Sequence, residues 1–384
     1  MNHATNISEV WKRVNRIRGK HVLPPAHPDP AGKASALMRE YKQRSATASL
    51  PPDMKDIKET LDPVRQATVD AAVLQADDTD QLITRDELLR AQKTSGETAP
   101  GDDGITYSML NVVCHVEGDP LLRLFNMSLT QGVLPEGWTK ANIIPIPKQN
   151  EDKFRPISLT STMCKMLERI LLQRLTYKIG HLDASINGFV KHRSTANCLA
   201  NYFSNDKAKT AVFLDIEKAF DRAQPLVILA ELTKLGVKGR LLQWIQSYLS
   251  DREARVVFQG TMSPYMVMEN GTPQRGVLSP TLFNILMNTL ATLPYPAGTQ
   301  HISYADDIVL QTEGRNSTTI MQDSLHLLAT KCKEIGFGIS HTKTKAMAKT
   351  RTTPPDRLQL QDQGSKVGLH LVGMHNSRYT GDPS

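Results

Sequence analysis

His301-Ile302-Ser303-Tyr304-Ala305-Asp306-Asp307-Ile308-Val309-Leu310 sets two adjacent carboxylates inside an otherwise apolar run. The pattern predicts a strand, a tight turn and a second strand, with the acids at the tip. Ionised groups between buried strands are costly unless paired or bound to a cation, so this Asp-Asp pair calls for a positive partner. A divalent metal suits it best. Taken alone, the pair also fits an ordinary solvated hairpin turn, so the rest of the chain decides.

Upstream, Ala211-Val212-Phe213-Leu214 is apolar without alternation, as in a strand covered on both faces, and it ends abruptly in Asp215. Folding can therefore bring Asp215, Asp306 and Asp307 to one edge of a sheet from distant parts of the sequence. Such a site suits two Mg²⁺ ions, one activating an attacking hydroxyl and the other holding a triphosphate and its leaving oxygen. A few carboxylates suffice, because phosphates and waters complete the octahedron around each ion.

The surrounding chain alternates helices and strands irregularly, which favours an α+β layer over a doubly wound sheet. Thr84 with Glu87 three residues on predicts a capped helix, and Ser161 caps another whose Met163, Met166, Leu167, Ile170, Leu171 and Leu175 share one face. That second helix reads as core packing. Strands are expected over 141–147, 155–159, 255–259 and 265–268, and further helices from 121, 225, 240, 279 and 316. At 384 residues with a formal charge of +7, the chain is long enough for two or three domains and basic enough for a polyanionic partner. Cys114, Cys164, Cys198 and Cys332 lie far apart, which suggests neither a zinc site nor a disulfide framework. No apolar run is long enough to span a bilayer and no secretory h-region opens the chain, so an intracellular protein in the cytoplasm or nucleus is expected, without membrane partners.

Several ordered stretches now carry a family resemblance. Phe213-Leu214-Asp215-Ile216-Glu217-Lys218-Ala219-Phe220-Asp221, Gly271-Thr272-Pro273-Gln274-Arg275-Gly276-Val277-Leu278-Ser279-Pro280 and Tyr304-Ala305-Asp306-Asp307 resemble the A, B and C motifs of reverse transcriptases. Specifically, they are similar to those of non-LTR (LINE-type, jockey-like) retrotransposons. Ala99-Pro100-Gly101-Asp102-Asp103-Gly104-Ile105 and Phe154-Arg155-Pro156-Ile157-Ser158-Leu159 resemble that family's finger motifs, and Gly188-Phe189 with Arg193-Ser194-Thr195 fits another block. The resemblance covers roughly residues 80 to 350.

It implies an α+β right-hand polymerase fold of fingers and palm, and an RNA-directed DNA polymerase that adds dNTPs to a DNA or RNA primer on an RNA template. The implied metal ligands are Asp215, Asp306, Asp307 and the Ile216 carbonyl, holding two Mg²⁺ ions, for which Mn²⁺ is an alternative. Lys148 and Arg155 match positions that contact the incoming triphosphate, Arg through its forked donors and Lys as a point charge, with Lys153 competing for the role of Lys148. Phe220 matches the steric gate that fills the space of a ribose 2′-OH. Asp221 beside it is the kind of acid that RNA polymerases use to bind that hydroxyl. Gln274 and Gly276 match the turn that contacts the template and the nascent base pair. Lys343 resembles the lysine that protonates leaving pyrophosphate, although Ser340-His341 stands where family members commonly carry Asn-Pro.

Residues 1–79 are expected to be a basic N-terminal linker with a short helix around Lys33 to Arg44, 80–350 the reverse transcriptase domain with fingers to about 210, and 351–384 a vestigial thumb or disordered tail. Neither an endonuclease nor most of a thumb is expected. The competing reading is a catalytically inactive retrotransposon remnant that only binds RNA.

Overall fold

Pro30 occupies the first turn of α1 (Pro30–Ser45) and Asp29 accepts the Gly32 amide, so the chain is helical well before its motifs begin. The computed structural model describes residues 27–148, 153–205 and 207–348, with the backbone of 359–362 and 365–368. Residues 1–26 of the expected basic linker and most of the expected vestigial thumb lie outside these residues.

The short helix expected around Lys33 to Arg44 is α1, but residues 30–79 pack against the rest of the chain and do not trail as a linker. α1 lays Ala34, Leu37, Met38 and Tyr41 on Ala141, Ile143, Ala254 and Val256. α2 (Pro52–Val73) is tied to the far end of the chain, where Lys333 pairs with Asp53 at 2.7 Å and Arg65 donates to the Glu334 carbonyl at 2.8 Å. The Pro-rich composition concealed helical spacing, since 34, 37, 38 and 41 all fall on one face.

Thr84 and Glu87 form the expected capping box of α3 (Arg85–Lys93). Arg174 grips Glu87 and the carbonyls of Thr79, Gln81 and Leu82, which fastens the chain leading into that helix. α4 (Tyr107–Val113), α5 (Pro120–Gln131) and the single turn α6 (Glu136–Thr139) lead to β1 (Lys140–Pro147), which pairs antiparallel with β2 (Phe154–Leu159). α7 (Thr162–Ile179) starts at Ser161, whose hydroxyl accepts the Cys164 amide, and it runs through the main core. Next come α8 (Thr195–Ser204), β3 (Ala208–Glu217), α9 (Ala219–Arg222), α10 (Pro225–Lys234) and α11 (Gly239–Leu249). β4 (Arg252–Phe258), β5 (Thr261–Met262) and β6 (Met266–Met268) precede α12 (Ser279–Ala291). The chain continues through β7 (Thr299–Tyr304), β8 (Asp307–Glu313), α13 (Ser317–Glu334), β9 (Gly338–Ile339), β10 (Lys345–Ala348) and the pair β11 (Gln359–Asp362) and β12 (Ser365–Gly368).

Two sheets result. The first has the order β2-β1-β4-β5, with β6 also on β4; the second has the order β10-β3-β8-β7, with β9 also on β3. The 252–268 strands, expected within the palm, belong to the first sheet because β4 pairs in parallel with β1. Sequence order therefore does not separate fingers from palm. As expected, β3 is covered on both faces: Val212, Leu214 and Ile216 join the main core, while Ala211 packs with Ile302 and Tyr202 on the other side. No helix among the described residues is long and apolar enough to cross a membrane.

Candidate active site

The central hairpin closes as the sequence predicts. Tyr304 pairs with Asp307, which leaves Ala305 and Asp306 as the turn, with Ala305 in the left-handed region at φ 54°. β3 lies on the other side of β8, and its register places Asp215 directly opposite Asp307. Three carboxylates from two distant segments thus share one end of the second sheet.

A loop holds this tip from behind. Ser303 N donates to the Ser185 carbonyl and Asn187 N to the Ser303 carbonyl, both at 2.9 Å, so the loop runs beside β7 like a short strand. Gly188 then passes so close that a Cβ there would lie 2.2 Å from Ala305 N, which only glycine permits. The Asn284 side chain of α12 donates to the Gly188 carbonyl at 2.8 Å and fixes that approach. Gly188-Phe189 is legible as a family block, but its buttressing of the turn is not.

Charge at the tip is uneven. Burial pushes the Asp306 carboxyl above the usual carboxylate range and Asp215 adds repulsion, while Lys343 and Arg155 act in the opposite direction. Asp307 shifts upward too, first from desolvation and then from Asp306 and Asp215. The Lys343 Nζ sits 3.2 and 3.1 Å from the two Asp215 oxygens. Among the described residues, no three Asp, Glu, His or Cys side chains are gathered closely enough to hold a metal by themselves. Mutually repelling carboxylates that draw in a lysine are nonetheless a donor set that fits a divalent cation, whose other ligands come from phosphate and water. Ile216 lies beside them, 2% exposed, its backbone paired with Ile339.

The remaining predicted residues fall into two groups. Arg155, opposite Ile146 in the first sheet, is close enough to Asp306 to influence its charge. Lys148 is exposed at the end of β1, where its amide bonds to the Lys153 carbonyl at 2.9 Å, and nothing brings it to the carboxylates. Phe220 stacks on Phe283 of α12 at 4.4 Å and meets Phe189 edge-on at 5.9 Å. The Gln274 side chain donates to Asp221 at 3.1 Å, and Arg44 of α1 lies 3.9 Å from the same carboxylate. Burial raises the Asp221 carboxyl. That acid is thereby committed to the Gln274 turn and to α1, not to a ribose hydroxyl. Sequence reasoning missed Arg44, Asn284 and Glu168. Glu168 carried a readable signal, a carboxylate in helical register with Cys164, Leu171 and Leu175 on a buried face.

With this geometry in hand, similarity to known proteins is informative. The family model for reverse transcriptase (RNA-dependent DNA polymerase) matches residues 146–380, more than half of the chain. The chain belongs to the reverse transcriptase family. It is 24% identical over 344 residues to the RNA-directed DNA polymerase from mobile element jockey of Drosophila melanogaster, covering 82% of this chain and 36% of that protein. It is 29% identical over 283 residues to the Retrovirus-related Pol polyprotein from type-2 retrotransposable element R2DM of the same organism, covering 66% and 26%. The corresponding type-1 element R2 protein of Popillia japonica is 30% identical over 251 residues, covering 59% and 34%. The chain therefore spans between about a quarter and just over a third of the length of these relatives. The structure of apo telomerase from Candida Tropicalis is a weaker likeness, with 15% identity, a TM-score of 0.44, and coverage of 66% of this chain and 57% of that one. The non-LTR resemblance agrees with the retrotransposon relatives, and the right-hand polymerase fold comes with the reverse transcriptase family.

Proposed function

We propose that this reverse transcriptase domain extends a DNA or RNA primer with dNTPs on an RNA template, as the RNA-directed DNA polymerase of a non-LTR retrotransposon acting inside the cell. The observation that carries the reading is the convergence of Asp215, Asp306 and Asp307 at one end of the second sheet, which this reading takes as the palm. A remnant that only binds RNA has no need of three repelling carboxylates there, and Asp306 in particular stands against its own desolvation.

In this reading Asp215, Asp306, Asp307 and the Ile216 carbonyl hold a pair of Mg²⁺ ions, for which Mn²⁺ can substitute. Bound there, such ions lower the pKa of an attacking hydroxyl and stabilise the leaving oxygen of an in-line displacement. The chain's own side chains do the rest. Arg155, with Lys148 at the other end of the same loop, binds the triphosphate. Phe220, braced by Phe283, occupies the volume that a ribose 2′-OH would need. Gln274 and Gly276 present the turn that meets the template and the nascent pair. Lys343, paired with Asp215 and with its side chain 64% exposed, gives a proton to departing pyrophosphate.

Primer extension on an RNA template with added Mg²⁺ tests this. Product that depends on template, dNTPs and divalent cation supports the polymerase; RNA binding with no extension favours the remnant.

A further inference from the structure

Glu168 lies in the middle of α7 with no exposed surface, and no step of the proposed reaction uses it. One of its oxygens, Oε2, accepts three hydrogen bonds: from Val277 N at 2.6 Å, from Leu278 N at 2.9 Å and from the Tyr248 hydroxyl at 3.1 Å. The other, Oε1, faces the Cys164 thiol at 3.7 Å. Lys165, three residues earlier on the helix, interacts with it electrostatically. A buried carboxylate persists only where donors satisfy it, and two of these donors are the main chain that directly follows Gln274-Arg275-Gly276.

That turn requires an anchor. Arg275 occupies the left-handed region at φ 85°, which a residue with a side chain adopts only when its surroundings impose it. A Cβ on Gly276 would lie 2.5 Å from both the Tyr248 hydroxyl and Ser279 Oγ, so the turn is pressed onto the same hydroxyl that Glu168 binds. Tyr248 is itself fixed, stacked on Trp244 at 5.6 Å. From the opposite side Ser158 N donates to the Gln274 carbonyl at 3.1 Å, which ties the turn to β2. The strained segment is clamped between the fingers sheet and one buried carboxylate.

We infer that Glu168 is a positioning residue: by holding the Val277 and Leu278 amides it sets where Gln274 and Gly276 stand relative to Phe220 and the template path. Its geometry is independent of the proposed function, and its catalytic consequence rests on that reading. Glu168→Gln keeps one oxygen for the three donors and turns its amide nitrogen toward the Cys164 sulfur, so it preserves the clamp. Glu168→Leu leaves two backbone donors buried without an acceptor.

Backbone hydrogen exchange on the full chain reads the clamp without relying on activity. Amides 277 and 278 are expected to exchange roughly tenfold faster or more in Glu168→Leu and within about threefold of wild type in Glu168→Gln, with palm strand amides unchanged. In primer extension, Glu168→Leu should raise the KM for dNTP roughly tenfold with a smaller change in kcat. Adding Gln274→Ala to it should cost no more than Gln274→Ala alone. Unchanged protection of the two amides in Glu168→Leu, or losses that simply multiply with Gln274→Ala, overturns the inference. Should Glu168→Leu fail to fold, Glu168→Ala, which removes the same acceptor and leaves room for water, is read instead: faster exchange at 277 and 278 supports the clamp, and unchanged exchange rejects it. If wild type extends no primer, the polymerase reading fails, and the exchange experiment still decides the role of Glu168.

Discussion

Phe220 sits between two rings, stacked on Phe283 and met edge-on by Phe189, so its position is set by packing as much as by the strand before it. Phe220→Ala should open the sugar pocket at some cost in packing, and raise ribonucleotide incorporation relative to deoxynucleotide by roughly tenfold or more. Competition between dNTP and rNTP in primer extension checks this; an unchanged ratio removes Phe220 from the gate. At this scale the sequence was most legible where chemistry leaves little choice. Asp215, Asp306 and Asp307 could be singled out because carboxylates at the ends of apolar strands demand a partner. Asp221 was legible as an acid beside the gate, but not as one held by Gln274 and Arg44, since those contacts join residues 53 and 177 positions away.

Among the elements, the β7–β8 hairpin carries titrating groups of opposite effect: the raised carboxyls of Asp306 and Asp307 favour the fold as pH falls, whereas the buried ring of His301 opposes it. His301 in β7 is 7% exposed, and its Nδ1 lies 2.9 Å from the Ser185 hydroxyl of the loop. Burial pushes its pKa down from 6.5 to about 4, with Asp183 acting weakly the other way. The unfolded chain then takes up the proton first. Stability is intact above pH ~6.5 and is lost as pH falls toward ~4, by about 3 kcal/mol for this group. Denaturant unfolding between pH 7 and 4 measures it, and His301→Phe should flatten that part of the profile; an equal acid loss in both proteins contradicts the assignment. Most strands and helices were readable from periodicity and caps, including Thr84, Ser161 and the Pro225 and Pro280 starts. What escaped was pairing across long separations. Nothing local in Arg252–Phe258 says that it lies parallel to β1, and α7 read as plain packing because its carboxylate finds its donors only after folding.

For the whole molecule, the N-terminal helices are packed members of the fold, α1 on the first sheet and α2 tied to Lys333 and Glu334. Leu37, Met38 and Tyr41 cover the first sheet, and burying each such side chain contributes about 1.5–3 kcal/mol. A chain beginning at residue 80 should unfold at markedly lower denaturant, or collect as insoluble protein, when compared with one beginning at residue 27. Equal midpoints would return 27–79 to the status of a linker. The basic surplus of +7 suits the proposed template-bound enzyme, with its chemistry at one sheet edge. That edge is tested most directly by primer extension on an RNA template with Mg²⁺, wild type beside Asp306→Asn, both verified as folded. Wild type is expected to extend the primer, with a loss of more than roughly 100-fold in the variant. Equal extension by both proteins, or none by wild type, would contradict it.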